Sequence, residues 1–196
     1  MLRRIASPVE MWYHIPKSIG KDALLVTHTI YLAGGCYWGV EKYMSNTPGV
    51  IETEVGFANG HLDAPAYVQV KKGDTGHAET VRVVYDDEVI PLEKLLRLFL
   101  RIIDPTSFEK QGEDVGNQYR TGIYWVEAAD EAVVRAELDK LQTRYTMPLV
   151  VEACPLDCFY PAEEYHQKYL DKTPGGYCHV PWEEIDWVKT VDLKEI

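Results

Sequence analysis

The segment Val26 to Ala33 is rich in Val, Thr, Ile and Tyr and runs straight into Gly34-Gly35. Cys36 to Met44 follows without proline and with Gly39 as its single glycine, until Asn46, Pro48 and Gly49 stop it. Strand, glycine turn and helix in immediate succession put Cys36 at the start of a helix. Further along, Val50 to Phe57 reads as a strand, and Ala58-Asn59-Gly60 with Asp63-Ala64-Pro65 as a surface loop that leads to Tyr67. Glu79 to Tyr85 is a second β-prone run, with Glu79 at its mouth. Pro91 opens a helix whose Leu92, Leu95, Leu96, Phe99, Ile102 and Ile103 recur at helical spacing until Asp104-Pro105. Residues 105 to 118 read as loop. Thr121 to Val126 is expected as a strand, Ala128 to Arg144 as a helix, Leu149 to Ala153 as a strand and Ala162 to Leu170 as a helix started by Pro161. Strands and helices in this irregular order argue an α+β fold rather than a regular doubly wound sheet.

Residues 1–23 carry no clean periodicity and read as an N-terminal extension, 24–178 as the core, and 179–196 as a tail, all in one domain over 1–196. The 20 Lys and Arg against 31 Asp and Glu leave a net charge of −11, which opposes binding to nucleic acid or to an anionic membrane surface. The most apolar stretch, Leu95 to Ile103, is broken by Arg97 and Arg101 and falls well short of the about 20 residues that span a bilayer. The N-terminus lacks the apolar run of a secretory signal, so a cytoplasmic location is expected. Neither a Rossmann fingerprint nor a phosphate-binding loop is present, so no nucleotide cofactor is indicated.

Four cysteines are too few for a disulfide framework, and their surroundings must decide their use. A thiol on the first turn of a helix feels unpaired backbone N–H groups, which favour its thiolate, so Cys36 is the best nucleophile candidate. The simpler alternative is a small buried apolar residue behind a turn. Tyr37 and Trp38, directly after it, suit an apolar pocket for a small substrate group or, equally, the core.

Gly34-Gly35-Cys36-Tyr37-Trp38-Gly39-Val40-Glu41 resembles the signature of the methionine sulfoxide reductase A family. The similarity extends to Tyr67, to Gly73-Asp74-Thr75-Gly76-His77-Ala78-Glu79, to Asp114-Val115-Gly116-Asn117-Gln118-Tyr119-Arg120, and to Phe159-Tyr160-Pro161-Ala162-Glu163-Glu164-Tyr165-His166-Gln167. These blocks stand in family order across most of the chain. The resemblance implies a two-layer α/β sandwich with a mixed sheet of the ferredoxin-like type. It implies reduction of the S epimer of methionine sulfoxide, free or in proteins, without a bound cofactor or metal, by a monomer recycled by thioredoxin.

In that family pattern Cys36 attacks the sulfoxide sulfur and Glu79 protonates its oxygen. A carboxyl can do so near neutral pH when burial raises its pKa, so an apolar setting is expected for Glu79. Tyr67 and Tyr119 match tyrosines that hydrogen-bond the oxygen, Asp114 an acid that holds the substrate site, and Tyr37 and Trp38 the residues that receive the methyl group. Many family members carry Phe where Tyr37 stands, and the extra hydroxyl needs a partner if buried. Cys178, after Gly175-Gly176, matches the thiol that resolves a Cys36 sulfenic acid to a disulfide. Glu41, in the same helix as Cys36, would point away from its first turn.

Cys154 and Cys158 depart from the family pattern and stand as auxiliary or inert thiols, or as alternative resolvers. Two other classes remain open at this level. Cys154, Cys158 and Cys178 with His166 or His179 supply enough ligands for zinc, and Cys36 with His28, His61 or His77 would suit a cysteine hydrolase.

Overall fold

Alternation along the strands decides which side chains face the helices. The computed structural model describes residues 27–196; the N-terminal extension and the expected strand start at Val26 lie outside the described residues. The elements are β1 (Thr27–Gly34), α1 (Tyr37–Ser45), β2 (Val50–Ala58), α2 (Tyr67–Val70), β3 (Ala78–Asp86), α3 (Leu92–Arg101), β4 (Lys110–Gln111) and β5 (Asp114–Val115). A 3-10 turn (Asn117–Tyr119), β6 (Thr121–Trp125), α4 (Asp130–Gln142), β7 (Glu152–Pro155), β8 (Phe159–Pro161), α5 (Tyr169–Lys172) and α6 (Trp182–Val188) complete them. Six strands form one mixed sheet in the order β7-β6-β1-β3-β2-β8, antiparallel throughout except for the parallel pair β6 and β7.

Ile30 and Leu32 of β1, Val55 and Phe57 of β2, Val81, Val83 and Tyr85 of β3, and Ile123 and Trp125 of β6 belong to one buried cluster. It also takes Val40, Tyr43 and Met44 of α1, Leu95, Leu96 and Phe99 of α3, and Ile185 and Val188 of α6. The intervening residues Tyr31, Ala33, Ala58, Ala78 and Tyr124 make a smaller cluster on the other face. This period of two places Glu79, in step with Val81 and Val83, on the face covered by α1. Gly34 allows α3 to approach, since a methyl group there would stand 2.8 Å from Ile103. Gly35 turns the chain into α1 with a left-handed φ of 83°.

Four expectations need correction. The helix from Ala162 to Leu170 does not form; β8 and a run of turns occupy its place, and α5 begins only at Tyr169. Lys168 has a left-handed φ of 52°, its N–H donates to Glu41 Oε2 at 2.8 Å, and the Gln167 amide is engaged by the Val55 backbone. These long-range bonds outweigh local helix propensity. The strand expected at 149–153 lies at 152–155. The loop at 105–118 contains the small β4/β5 hairpin, and the tail contains α6. Lys94 and Arg97 of α3 hold the tail backbone at Leu193 and Ile196.

Candidate active site

Cys36 is the N-cap residue of α1 and is 6% exposed. The N–H of Tyr37, one of the unpaired amides of that first turn, donates to Glu79 Oε2 at 3.1 Å. Sheet alternation from below and the helix start from above thus bring the thiol and the carboxyl together. Glu79 is 2% exposed, and burial pushes its carboxyl from 4.5 up to about 8. The Tyr37 N–H opposes this, while Asp114 adds to it. At neutral pH Glu79 is mostly the protonated acid, as its expected role requires.

For Cys36 the expected direction is reversed. Its thiol is pushed well above the ordinary value, first by burial and then by the Glu79 charge, with the Trp38 N–H opposing. Desolvation of a thiolate in this closed turn outweighs the pull of the helix start. Both groups therefore rest in their neutral forms at neutral pH.

Tyr67 and Tyr119 stand around the same space. Burial and then the Glu79 charge raise both hydroxyls, Tyr67 to about 12, and Cys36 acts on each. Tyr37 is 1% exposed, its ring is 6.0 Å from Phe57 and 5.5 Å from His166, and its buried hydroxyl has no hydrogen-bond partner. No described residue supplies the partner that this hydroxyl needs. Trp38 stacks on Tyr169 with centroids 3.8 Å apart and donates its indole N–H to His166 Nδ1 at 3.2 Å.

The block Phe159 to Gln167 acts as a brace for these aromatics. Glu163 Oε1 accepts the Tyr67 N–H at 3.0 Å, buried His166 orients Trp38, and the Gln167 side chain bonds both polar groups of the Val55 backbone at 2.8 Å. His166 sits in a turn rather than on a helix. Asn117 ties its own block to the Glu79 block by donating to the Gly73 carbonyl at 2.8 Å. Glu41 is spent on structure, receiving Lys168 and Thr53.

Asp114, on β5, accepts a 2.8 Å hydrogen bond from the Tyr177 hydroxyl. That contact, missed from the sequence, holds the Cys178 segment over the site. The Cys178 sulfur packs on Gly39, where a methyl group would stand 3.2 Å from it, and its S–H donates to the Val180 carbonyl at 3.1 Å. Adjacency of Tyr177 to Cys178 was the only sequence signal for this contact.

Cys154 and Cys158 lie elsewhere. Cys154 packs on the far face of the sheet and takes the Asn59 amide at 3.6 Å; Cys158 donates to the Gly60 carbonyl at 3.5 Å, with His77 Nε2 at 4.0 Å. All four cysteines are free thiols. Among the described residues no three His, Cys, Asp or Glu side chains come together as a metal would require, so the zinc alternative finds no support. His28 bonds Glu127, His61 borders Gly76 and His77 packs on Gly60 with Cys158 Sγ at 4.0 Å, so none of the three candidate bases pairs with Cys36 and the hydrolase alternative is unsupported. No helix among the described residues is long and apolar enough to cross a membrane.

Residues 28–193 match the family described as peptide methionine sulfoxide reductase. The chain is 55% identical over 152 residues to a peptide methionine sulfoxide reductase MsrA of Lachnoclostridium phytofermentans, covering 78% of this chain and 92% of that one. Among solved structures it is similar to Mxr1 from Saccharomyces cerevisiae in reduced form, with a TM-score of 0.73 and 38% identity over 84% of this chain and 94% of that one. It is also similar to Mxr1 in complex with Trx2, with a TM-score of 0.52 and 26% identity over 79% and 92% of the two chains.

Proposed function

The chain belongs to the peptide methionine sulfoxide reductase family, and on that premise we propose that Cys36 is its nucleophile, Glu79 its proton donor and Cys178 its resolving thiol. The protein is a thiol-dependent oxidoreductase that reduces methionine sulfoxide to methionine. The observation that carries the assignment is the buried Glu79 carboxyl, bonded to the Tyr37 N–H beneath the Cys36 turn and protonated at neutral pH.

The substrate methyl group packs against Tyr37 and Trp38, and the oxygen points to Glu79, Tyr67 and Tyr119. With two of the sulfur substituents fixed in this way, only one epimer leaves the rest of the substrate facing outward, and we assign the S form. Glu79 gives its proton to the oxygen as Cys36 attacks the sulfur, and the thiol proton returns to the carboxylate. Cys36–SH and the sulfoxide become Cys36–SOH and the thioether. Tyr67 and Tyr119 stabilise charge that develops on the oxygen, and their raised pKa values keep them as donors.

Cys178 then attacks the sulfenic acid, water leaves, and a Cys36–Cys178 disulfide remains. Asp114, through Tyr177, holds that segment in place beforehand. Thioredoxin reduces the disulfide by exchange, in keeping with the yeast relative's complex with Trx2. The electrons come from thiols, so no bound cofactor takes part, and a reducing cytoplasm would keep the four cysteines ready. We take 1–196 as a single catalytic domain acting as a monomer. Cys154 and Cys158, away from the reacting atoms, have no place in this cycle. Steady-state turnover of S and R sulfoxide peptides with a dithiol tests the assignment. Turnover of the S form alone, abolished in Cys36→Ser, is expected; equal turnover of the R form would overturn it.

A further inference from the structure

His179 follows Cys178 and lies across the turn that carries Cys36. A methyl group on Gly35 would stand 3.1 Å from its Nε2, and one on Gly39 would stand 3.1 Å from its Nδ1 and 3.2 Å from the Cys178 sulfur. Gly112 faces its Cβ at 3.6 Å by the same measure. Three glycines leave the space this ring fills, and a single face of Gly39 receives both Nδ1 and the Cys178 sulfur. Both ring nitrogens are shielded from solvent, and among the described residues neither has a hydrogen-bond partner. The Gly34 backbone is near enough to favour the protonated ring without meeting hydrogen-bond geometry. An imidazole with two unmet buried nitrogens is destabilising unless another state of the protein supplies a partner.

The resolving step supplies one. Cys178 has to lose a proton at this turn, and a hydroxide has to gain one. In the resting protein the Cys178 S–H is bonded to the Val180 carbonyl, while Gly175, in a left-handed conformation with open space around it, gives the segment a pivot. Burial lowers the His179 pKa against the opposing pull of Asp114, so the ring is neutral and one nitrogen is free to accept. Asp114 on β5 is the charged group acting on it, and the thiols of Cys36 and Cys178 and the Glu79 carboxyl beneath Tyr37 are the other titratable groups at the turn.

We infer that His179 is the proton shuttle of disulfide formation: it takes the proton from Cys178 Sγ and delivers it to the hydroxyl leaving Cys36. One S–S bond forms and one S–O bond breaks; Cys178 is oxidised, the sulfenic sulfur of Cys36 is reduced, and water carries away the proton. No further oxidant or reductant is needed. The inference rests on Cys178 being the resolving thiol.

Rapid quenching after mixing the reduced protein with one equivalent of a methionine-(S)-sulfoxide peptide reads methionine formation and the Cys36–Cys178 link as separate time courses. In His179→Gln and His179→Ala, methionine is expected at the unaltered rate while linkage slows by about 10²-fold. The residual rate should climb about tenfold per pH unit as Cys178 itself ionises, and imidazole should accelerate His179→Ala. Linkage at the unaltered rate, or linkage slowed equally at every pH with no response to imidazole, would overturn the inference. Methionine without any Cys36–Cys178 link in the unsubstituted protein would instead remove Cys178 as resolver, and the inference with it.

Discussion

Replacing Glu79 by Gln should make the protein more stable and nearly inactive, and the two effects have one source. The carboxyl titrates at about 8 in the fold against 4.5 for an unperturbed glutamate. Between those values the unfolded chain has released a proton that the folded protein still holds, so rising pH favours unfolding. The penalty is absent below pH 4.5, reaches roughly 3 kcal/mol at pH 7, and levels off above pH 8 at roughly 5 kcal/mol. Gln ionises in neither state, and its carbonyl can still accept the Tyr37 N–H that now goes to Glu79 at 3.1 Å. Urea unfolding followed by tryptophan fluorescence at several pH values, for both proteins, isolates this group, because every other titration cancels in the difference. The stability gap should open steadily in favour of Glu79→Gln from pH 4.5 to 8, while sulfoxide reduction falls by about 10² to 10⁴-fold for loss of the acid. A gap that stays flat across that window would refute the argument, since Glu79 would then be ionised at neutral pH with no proton to give.

Other outcomes follow from the same geometry. Cys178→Ser should yield one methionine per chain and then stop, with a sulfenic acid on Cys36 detectable by dimedone labelling and no turnover with thioredoxin. Tyr37→Phe removes a buried hydroxyl that has no partner among the described residues, so chemical denaturation should show a gain of about 1 kcal/mol with S-sulfoxide turnover preserved. The double substitution Cys154→Ser and Cys158→Ser should leave thioredoxin-dependent turnover within about twofold, because both thiols sit away from Cys36. Leu96→Ala, in the fully buried face of α3, should lower stability by about 2 to 5 kcal/mol in the same assay.

What could be read from the sequence was what local chemistry fixes. Gly34-Gly35 and the apolar spacing of α3 marked their elements because a positive φ and a period of 3.6 act over a few residues. The stretch 162–168 departs from its local helical pattern because Glu41 and Val55, more than a hundred residues earlier, capture its backbone and its Gln167 side chain. Helix α6 has no sequence signature because its seven residues, between Trp182 and Val188, present too short a period. At the site, the buried, hydrogen-bonded setting of Glu79 was anticipated from the family motif and the demand of the chemistry. The direction for Cys36 was not, since a helix start is visible in sequence whereas its enclosure by Glu79 and the sheet is not. Tyr177 on Asp114, His166 on Trp38, and His179 among Gly35, Gly39 and Gly112 are contacts between distant segments that no local pattern announces.

The central claim is that Cys36 and Cys178 carry the electrons while Glu79 moves the proton. Mixing fully reduced protein with excess S or R sulfoxide peptide and no reductant, then counting methionine and mapping the lost thiols by peptide mass, tests it in one step. One methionine per chain from the S form only, with Cys36 linked to Cys178 and both Cys154 and Cys158 still free, is the result the account requires. Methionine formed with Cys36 linked to Cys154 or Cys158, or with Cys36 unchanged, would contradict it.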